Sequence, residues 1–162
     1  MSTQAGSPSI PLRLNVSDEF GYWLSGLFDG EGCFLFKNTV REVTGMVPKV
    51  KITLRADDRS VIEYIQSQLG CGRIYANQYR PEKNKTTKPW VEFRVQRISD
   101  LAEVIVPLFE RYPLHSKKVQ EFALWKIVVR HRYLNRGSPI SMEERELYGK
   151  INAWISNSRG RG

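Results

Sequence analysis

Cysteine and histidine are scarce in this sequence of 162 residues, which contains two of each. Cys33 and Cys71 are too few for a disulfide framework, and no cysteine or histidine spacing is typical of a metal site. His115 and His131 cannot supply a zinc site without further ligands. The low cysteine content is typical of a protein from a reducing compartment.

Long apolar stretches are also absent. The sequence has no run of about 18 apolar residues, so it predicts no membrane span. The first residues, MSTQAGSPSIPLRLN, lack the charged start and apolar stretch of a secretory signal. We therefore expect an intracellular protein, in the cytoplasm, the nucleoid or an organelle matrix, that is not secreted.

Positive charge is in excess. The chain has 25 lysines and arginines against 17 acidic residues, a formal net charge of +8 and an isoelectric point of about 9.7. Such a surface suits a polyanion, nucleic acid first and an anionic membrane second. The length suits a single domain at 17–157, and we expect a flexible arm at 1–16 and a basic tail at 158–162.

Periodicity predicts two helix-strand-strand units followed by further helices. Ser17 before two acids is typical of a helix start. Pro107 is expected to break or bend the third helix. The predicted elements are a helix from Ser17 to the glycines near 30–32, strands at 33–41 and 47–55, a helix from Asp57 to 69, strands at about 73–80 and 90–97, and helices from Ser99, at roughly 116–133 and at roughly 142–156.

These units predict an α+β fold, with a four-stranded antiparallel sheet and helices on one face. The other face then carries basic and amide side chains that suit phosphates and base edges. A plain solvated face would also be polar, but it would mix acids with bases. The residues predicted to contact nucleic acid are Leu35, Lys37, Thr39, Arg41, Lys51, Thr53, Arg55, Tyr75, Asn77, Tyr79, Glu92, Arg94 and Gln96.

The segment LSGLFDGEG, residues 24–32, closely resembles the LAGLIDADG motif. It departs from that motif at Ser25, Phe28, Gly30 and Glu31. Within a helix-strand-strand repeat of this length, the match resembles the LAGLIDADG homing endonuclease family over residues 17–132. The resemblance implies the αββαββα homing-endonuclease fold.

Gly26 and Gly30 share one face of the first helix because they lie four residues apart. Each glycine costs about 1 kcal/mol relative to alanine inside a helix, so close approach of another helix would explain them. The family packs two such helices together, and one motif here implies a C2 homodimer. We predict an interface at Leu24, Gly26, Leu27 and Gly30. Alternatively, the glycines accommodate a neighbour within the same chain.

The resemblance assigns metal binding to Glu31, with the backbone carbonyl of Gly30 as second ligand. Mg²⁺, or another divalent cation such as Mn²⁺, takes oxygen ligands of this kind. The metal would activate water and stabilise the leaving 3′ oxygen. Asp29 is interpreted as a structural hydrogen-bonding residue, whereas the intact Glu31 favours an active enzyme.

Two basic groups complete the predicted catalytic set. Lys117 aligns best with a lysine that reaches the active site in the family, and Lys118 is the alternative. A pair of solvated lysines would look the same in the sequence. At the end of the second strand, alternation favours Arg55 over Leu54 as the polar residue.

We therefore expect a site-specific double-strand DNA endonuclease. It would cut a long pseudo-palindromic target by metal-dependent phosphodiester hydrolysis and would be encoded in an intron or similar mobile element. The alternatives are a maturase that binds intron RNA, a DNA-binding regulator of the same fold, and a binding module without a nucleic-acid partner.

Overall fold

The computed structural model describes residues 9–37, 47–77, 82 and 88–160. Among the described helices, none combines the length and apolarity needed to cross a membrane. The elements are α1 (Asp18–Glu31), β1 (Gly32–Lys37), β2 (Val47–Arg55), α2 (Arg59–Leu69) after a 3₁₀ turn at Ala56–Asp58, β3 (Arg73–Ala76), β4 (Trp90–Val95), the helical segment α3 (Ile98–Asp100, Leu101–Ile105 and Val106–Arg111), α4 (Lys118–Leu134) and α5 (Met142–Arg159).

The strands form one four-stranded sheet in the order β1-β2-β4-β3. Each neighbouring pair is antiparallel. The predicted alternation in β2 is confirmed, because Val50 and Ile52 are buried while Lys51 and Thr53 are half-buried on the other side. The predicted antiparallel α+β architecture is therefore present.

An aromatic cluster fixes the end of α1 against the start of β1. Phe34 is fully buried, and its ring centroid lies 4.8 Å from that of Phe28. Phe109 of α3 and Trp125 of α4 surround it at 5.7 and 5.0 Å. These rings bury the side of the sheet that faces the helices. The opposite side is left available to contact another molecule.

Helix α1 begins where the sequence predicts. The Ser17 hydroxyl oxygen accepts a hydrogen bond from the Phe20 amide at 3.2 Å, which satisfies one of the unpaired donors of the first turn. The helix ends at Glu31 with no basic residue in its last turn. Helix ends ordinarily favour basic side chains, because the terminal carbonyls carry a partial negative charge.

Pro107 does not break α3, so the break that the sequence offered as one of two outcomes is absent. A π-helical stretch, Leu101–Ile105, precedes it, and the helix continues to Arg111. Proline cannot donate to the carbonyl of Glu103, four residues earlier. The Arg13 amide donates to that carbonyl instead, at 3.0 Å. The missing bond is thus supplied by a segment distant in sequence.

The chain ends are more ordered than predicted where the structure describes them. The Arg13 guanidinium lies 2.6 Å from Asp100 and 2.8 Å from Glu103, and Leu14 and Val16 pack on the core. The flexible-arm prediction is therefore wrong for 9–16, while 1–8 lie outside the described residues.

At the other end, the predicted tail and helix boundary are also corrected. Helix α5 extends to Arg159 rather than ending near 156, so Ser158 and Arg159 are helical. Both contact Glu121 of α4, at 3.1 and 3.3 Å. Of the predicted basic tail at 158–162, residues 161–162 lie outside the described part.

Candidate functional site

Glu31 closes α1 with an exposed side chain. Within the described part of the chain, its carboxylate has no hydrogen-bond or ion-pair partner. The last turn also contains Asp29, although helix ends ordinarily favour bases. This position therefore attracts a cation.

Asp29 has a different role from Glu31 because its carboxylate is fully hydrogen-bonded. It accepts from the backbone amides of His115 and Ser116, each at 2.9 Å, just before α4. Burial opposes ionisation, but the hydrogen bonds from Ser116 and His115 outweigh it and hold the pKa of Asp29 below its ordinary value. The structural interpretation of Asp29 agrees with these contacts.

The structure favours Lys118 over Lys117 as the lysine near the end of α1. Lys118 Nζ donates to the backbone carbonyl of Asp29 at 2.5 Å. Lys117 turns towards α5, where its Nζ lies 3.5 Å from the Ser158 carbonyl. Of the two lysines, the alternative, Lys118, contacts the end of α1 in the described structure, and a catalytic role for either lysine stays a prediction.

Arg159 is a basic residue near this site that sequence reasoning placed in a tail. Its guanidinium donates to the Phe34 carbonyl of β1 and to Glu121. Burial raises the pKa of the neighbouring Cys33 thiol, while Arg159 and Lys51 act in the opposite direction. No local sequence signal places the end of α5 beside β1, because the contact is non-local.

The outer face of the sheet carries the predicted polar side chains. The register places Cys33, Lys51, Arg94 and Arg73 in one row across all four strands. The next row contains Thr53, Glu92 and Tyr75. The same alternation puts Leu35 and the backbone position of Lys37 on this face. Thr39, Arg41 and Tyr79 lie outside the described residues.

Glu92 lies at the centre of this face but is only 4% exposed. Its carboxylate lies 2.5 Å from Arg94 and 3.9 Å from Lys51. The Thr53 hydroxyl donates to it at 3.4 Å. Glu92 therefore orients its basic neighbours, and this burial corrects the prediction that it contacts nucleic acid directly.

The remaining predicted residues lie towards the strand ends. Arg55 ends β2 at the same end of the sheet as Glu31, and is exposed 3.7 Å from Asp57. The Asn77 side-chain oxygen accepts from the Trp90 amide at 2.7 Å, which leaves its NH₂ group available. Gln96 follows β4 and is exposed.

Sequence reasoning missed three further residues of the outer face. Lys49 shares the alternation of Lys51, and Arg73 shares that of Tyr75. Trp90 lies opposite Arg55. Extending the alternation to the whole of each strand would have identified all three.

The exposed side of α1 has room for a second helix. An added Cβ at Gly26 or Gly30 would meet nothing within 4 Å. The alternative that these glycines accommodate a neighbour within the chain is therefore wrong for the described residues. Leu27 is half-buried, whereas Leu24 is 2% exposed and belongs to the core. Burial thus corrects the prediction that Leu24 contacts a second subunit.

A single copy does not complete a metal site. No group of three or more histidine, cysteine, aspartate or glutamate side chains suited to a metal occurs among the described residues. Glu31 offers one free carboxylate at the end of α1. Further oxygen ligands would have to come from backbone carbonyls, a second helix or a bound phosphate.

The described structure is an α+β unit with exposed glycines on one helix, an acid at the end of that helix and a basic sheet face. The sequence model described as LAGLIDADG endonuclease matches residues 24–129. The chain belongs to the LAGLIDADG endonuclease family.

Two curated fungal relatives agree with this assignment. A probable intron-encoded DNA endonuclease 1 of Mycosarcoma maydis is 33% identical over 59% of this chain and 32% of its own length. A probable intron-encoded endonuclease Cox1-I1b of Schizosaccharomyces pombe is 28% identical over 66% of this chain and 26% of its own length. The chain therefore spans about a third or less of either relative.

Solved structures share the fold. The LAGLIDADG meganuclease I-AabMI bound to uncleaved DNA has a TM-score of 0.67 and 26% identity, over 82% of this chain and 43% of that one. I-SmaMI bound to cleaved DNA has a TM-score of 0.64 and 27% identity, over 82% and 44%. The homing endonuclease I-GzeII in complex with its DNA target has a TM-score of 0.69 over 88% and 45%, and its 20% identity shows the fold alone.

Proposed function

We propose that this chain forms half of a site-specific double-strand DNA endonuclease that hydrolyses phosphodiester bonds with a divalent metal. The observation that carries the proposal is Glu31, a carboxylate without a partner among the described residues, exposed where α1 meets the basic sheet face. Relatives solved with uncleaved and cleaved DNA support the same reaction. An intracellular location remains a prediction.

The donor set fits Mg²⁺ or Mn²⁺. Glu31 would bind the ion through its carboxylate and Gly30 through its carbonyl, which lies where helical carbonyls lack partners. Such an ion would supply a nucleophilic water and charge stabilisation for the leaving 3′ oxygen. The partial negative charge at the end of α1 adds to the attraction for a cation.

The chain's own residues would orient the scissile phosphate. Lys118 donates to the Asp29 carbonyl at 2.5 Å, so its ammonium is held at a backbone position two residues before Glu31. Asp29 in turn anchors the residues that precede α4. This arrangement would stabilise negative charge on the phosphate without a large movement of the lysine.

A second copy would complete the active site. The open surface at Gly26 and Gly30 would allow two α1 helices to approach closely around a twofold axis. That packing would bring two Glu31 carboxylates together and would join two sheets into one long DNA-binding surface. A pseudo-palindromic target follows from the symmetry.

The test is cleavage of a randomised, palindrome-rich duplex library with Mg²⁺. We expect a discrete cut site for the natural chain and a loss of at least about 100-fold in cleavage for Glu31→Gln, as expected when a metal ligand is removed. Duplex binding in EDTA should persist. Glu143→Gln, an exposed acid at the start of α5, is the matched control and should cut normally.

Two outcomes would contradict the proposal. Equal cleavage by the Glu31→Gln variant and the natural chain would exclude Glu31 as the metal ligand. Tight binding to intron RNA without any DNA cleavage would favour the maturase instead.

A further inference from the structure

A cleft rich in arginine lies at the outer edge of the sheet, away from Glu31. It has a volume of about 750 Å³ and forms where α2 leads into β3 and β4 leads into α3. Two inter-strand spacings of about 4.8 Å separate β1 from β4 and three separate it from β3, so the cleft lies roughly 10–14 Å across the sheet from β1. The arginine cleft is lined by Arg13, Arg73, Arg94, Arg97 and Asp100, among others.

Two of its four arginines are already neutralised. Arg13 pairs with Asp100 and also with Glu103, which does not line the cleft. Arg94 pairs with Glu92 at 2.5 Å, and its guanidinium carbon lies 4.2 Å from the centre of the Tyr75 ring. These contacts fix the two arginines as rigid walls of the cleft.

The other two arginines, Arg73 and Arg97, have no acidic partner among the described residues. Arg73 is exposed on the edge strand β3 and lies directly opposite Arg94 in the register. Exposed arginines alone would be an ordinary solvated surface. Here two arginines without an acidic partner line one cleft together with two arginines that are held in place, an arrangement that suits a bound anion.

The position favours a phosphate over a base edge. Arg73 lies on the last strand of the sheet and Arg97 follows the end of β4, so both lie at the margin of the outer face. A duplex that covers the central rows would pass this margin with its backbone. The planar guanidinium group matches a phosphate with two parallel hydrogen bonds.

We propose that the arginine cleft binds a backbone phosphate of double-stranded DNA, with Arg73 and Arg97 supplying the charge. The inference rests on the proposed function, since it takes duplex DNA as the partner. Arg73 and Arg97 would supply binding affinity that does not depend on the DNA sequence. Lys51 and Arg94 would instead face the bases of the duplex.

The test compares the natural chain with Arg73→Ala/Arg97→Ala. Binding is measured in EDTA over a range of salt concentrations, for the target recovered by cleavage and for a scrambled duplex of equal length. We expect at least tenfold weaker binding to both duplexes. The slope of log K against log salt should fall by about 4, close to one for each of the four phosphate-binding cations removed from a pair of copies.

The matched control is Arg145→Ala/Lys150→Ala, which removes the same charge from exposed positions of α5. It should keep the natural slope. The melting temperatures of the natural chain, the cleft variant and the control should match. Arg73→Lys/Arg97→Lys should restore most of the salt slope but only part of the affinity, because lysine keeps the charge without the two parallel bonds.

Three results would overturn the inference. In the first, the cleft variant binds DNA as tightly as the control does. In the second, its binding is weaker only for the target duplex, which would indicate base reading. In the third, its binding is weaker for an RNA hairpin but not for DNA. If the natural chain bound no duplex at all, the proposed function itself would fail, and the two failures are thereby distinguished.

Discussion

At the scale of single residues, hydrogen bonding gives two nearby acids opposite roles. The Asp29 carboxylate accepts hydrogen bonds from two backbone amides, whereas Glu31 has no partner among the described residues. The sequence predicts this division only through the family motif, because composition treats the two acids alike. The sequence also does not decide between Lys117 and Lys118. These neighbours point in different directions at the start of α4, and only the folded structure shows which of them reaches Asp29.

Replacing Asp29 with asparagine should destabilise the chain by about 1–2 kcal/mol at pH 7, the usual value of a charged helix-start contact. The pKa of Asp29 lies below its ordinary value of 3.8, so its stabilisation is present above that pH and is lost as pH falls through the lowered pKa. The free energy of unfolding in urea, measured at pH 7 and at pH 3, tests this loss of stabilisation.

The difference in the free energy of unfolding between the natural chain and the Asp29→Asn variant should therefore be smaller at pH 3 than at pH 7. Asp58→Asn is the control, because Asp58 precedes α2 without a side-chain capping bond. An unchanged difference between the two pH values would contradict the charged-carboxylate explanation.

At the scale of elements, local signals predicted the strands and most helix starts. Ser17 caps α1 as expected, and Ser141 caps α5. Each hydroxyl oxygen accepts a hydrogen bond from the backbone amide three residues later. The errors arose where a distant segment completes an element. Arg13 supplies the bond that Pro107 cannot make, and Glu121 holds the end of α5. Neither partner is visible in a local window of sequence.

Removing the α5 anchor tests such a contact directly. Arg159→Ala should cost about 2–3 kcal/mol, because Glu121 is 1% exposed and would lose its cation. The value lies below that of a fully buried pair because the Arg159 side chain is 32% exposed. Urea unfolding measures the loss, and Arg145→Ala on the same helix should have little effect.

A double variant separates charge from packing. Arg159→Ala/Glu121→Gln should recover part of the lost stability, since the buried charge is removed together with its partner. If the double variant lost more free energy of unfolding than the two single variants lose together, the Arg159–Glu121 pair would not be the source of the effect.

At the scale of the whole molecule, the described surfaces differ in character. Helices cover one side of the sheet, the outer side and the arginine cleft carry basic side chains, and an added Cβ at Gly26 or Gly30 meets no described atom within 4 Å. The solved relatives extend over about twice the length that this chain matches. We propose that another copy of this chain supplies the rest of the active site.

Gly26→Leu tests the pairing of two copies without disturbing the single copy. A Cβ at position 26 meets nothing within 4 Å, and leucine is better than glycine in a helix by almost 1 kcal/mol, so the unfolding midpoint of the single copy should stay equal or rise. The larger side chain would hold two α1 backbones apart. Analytical ultracentrifugation should then show monomers, and cleavage of both strands should be lost.

Lys150→Leu, an equally exposed change on α5, should keep both association and cleavage. A Gly26→Leu variant that remained dimeric and active would exclude the α1 surface as the contact. A natural chain that cut both strands as a monomer would exclude the second copy altogether. Loss of cleavage together with a lower unfolding midpoint would place Gly26 in the folding of the single copy and contradict the open surface around it.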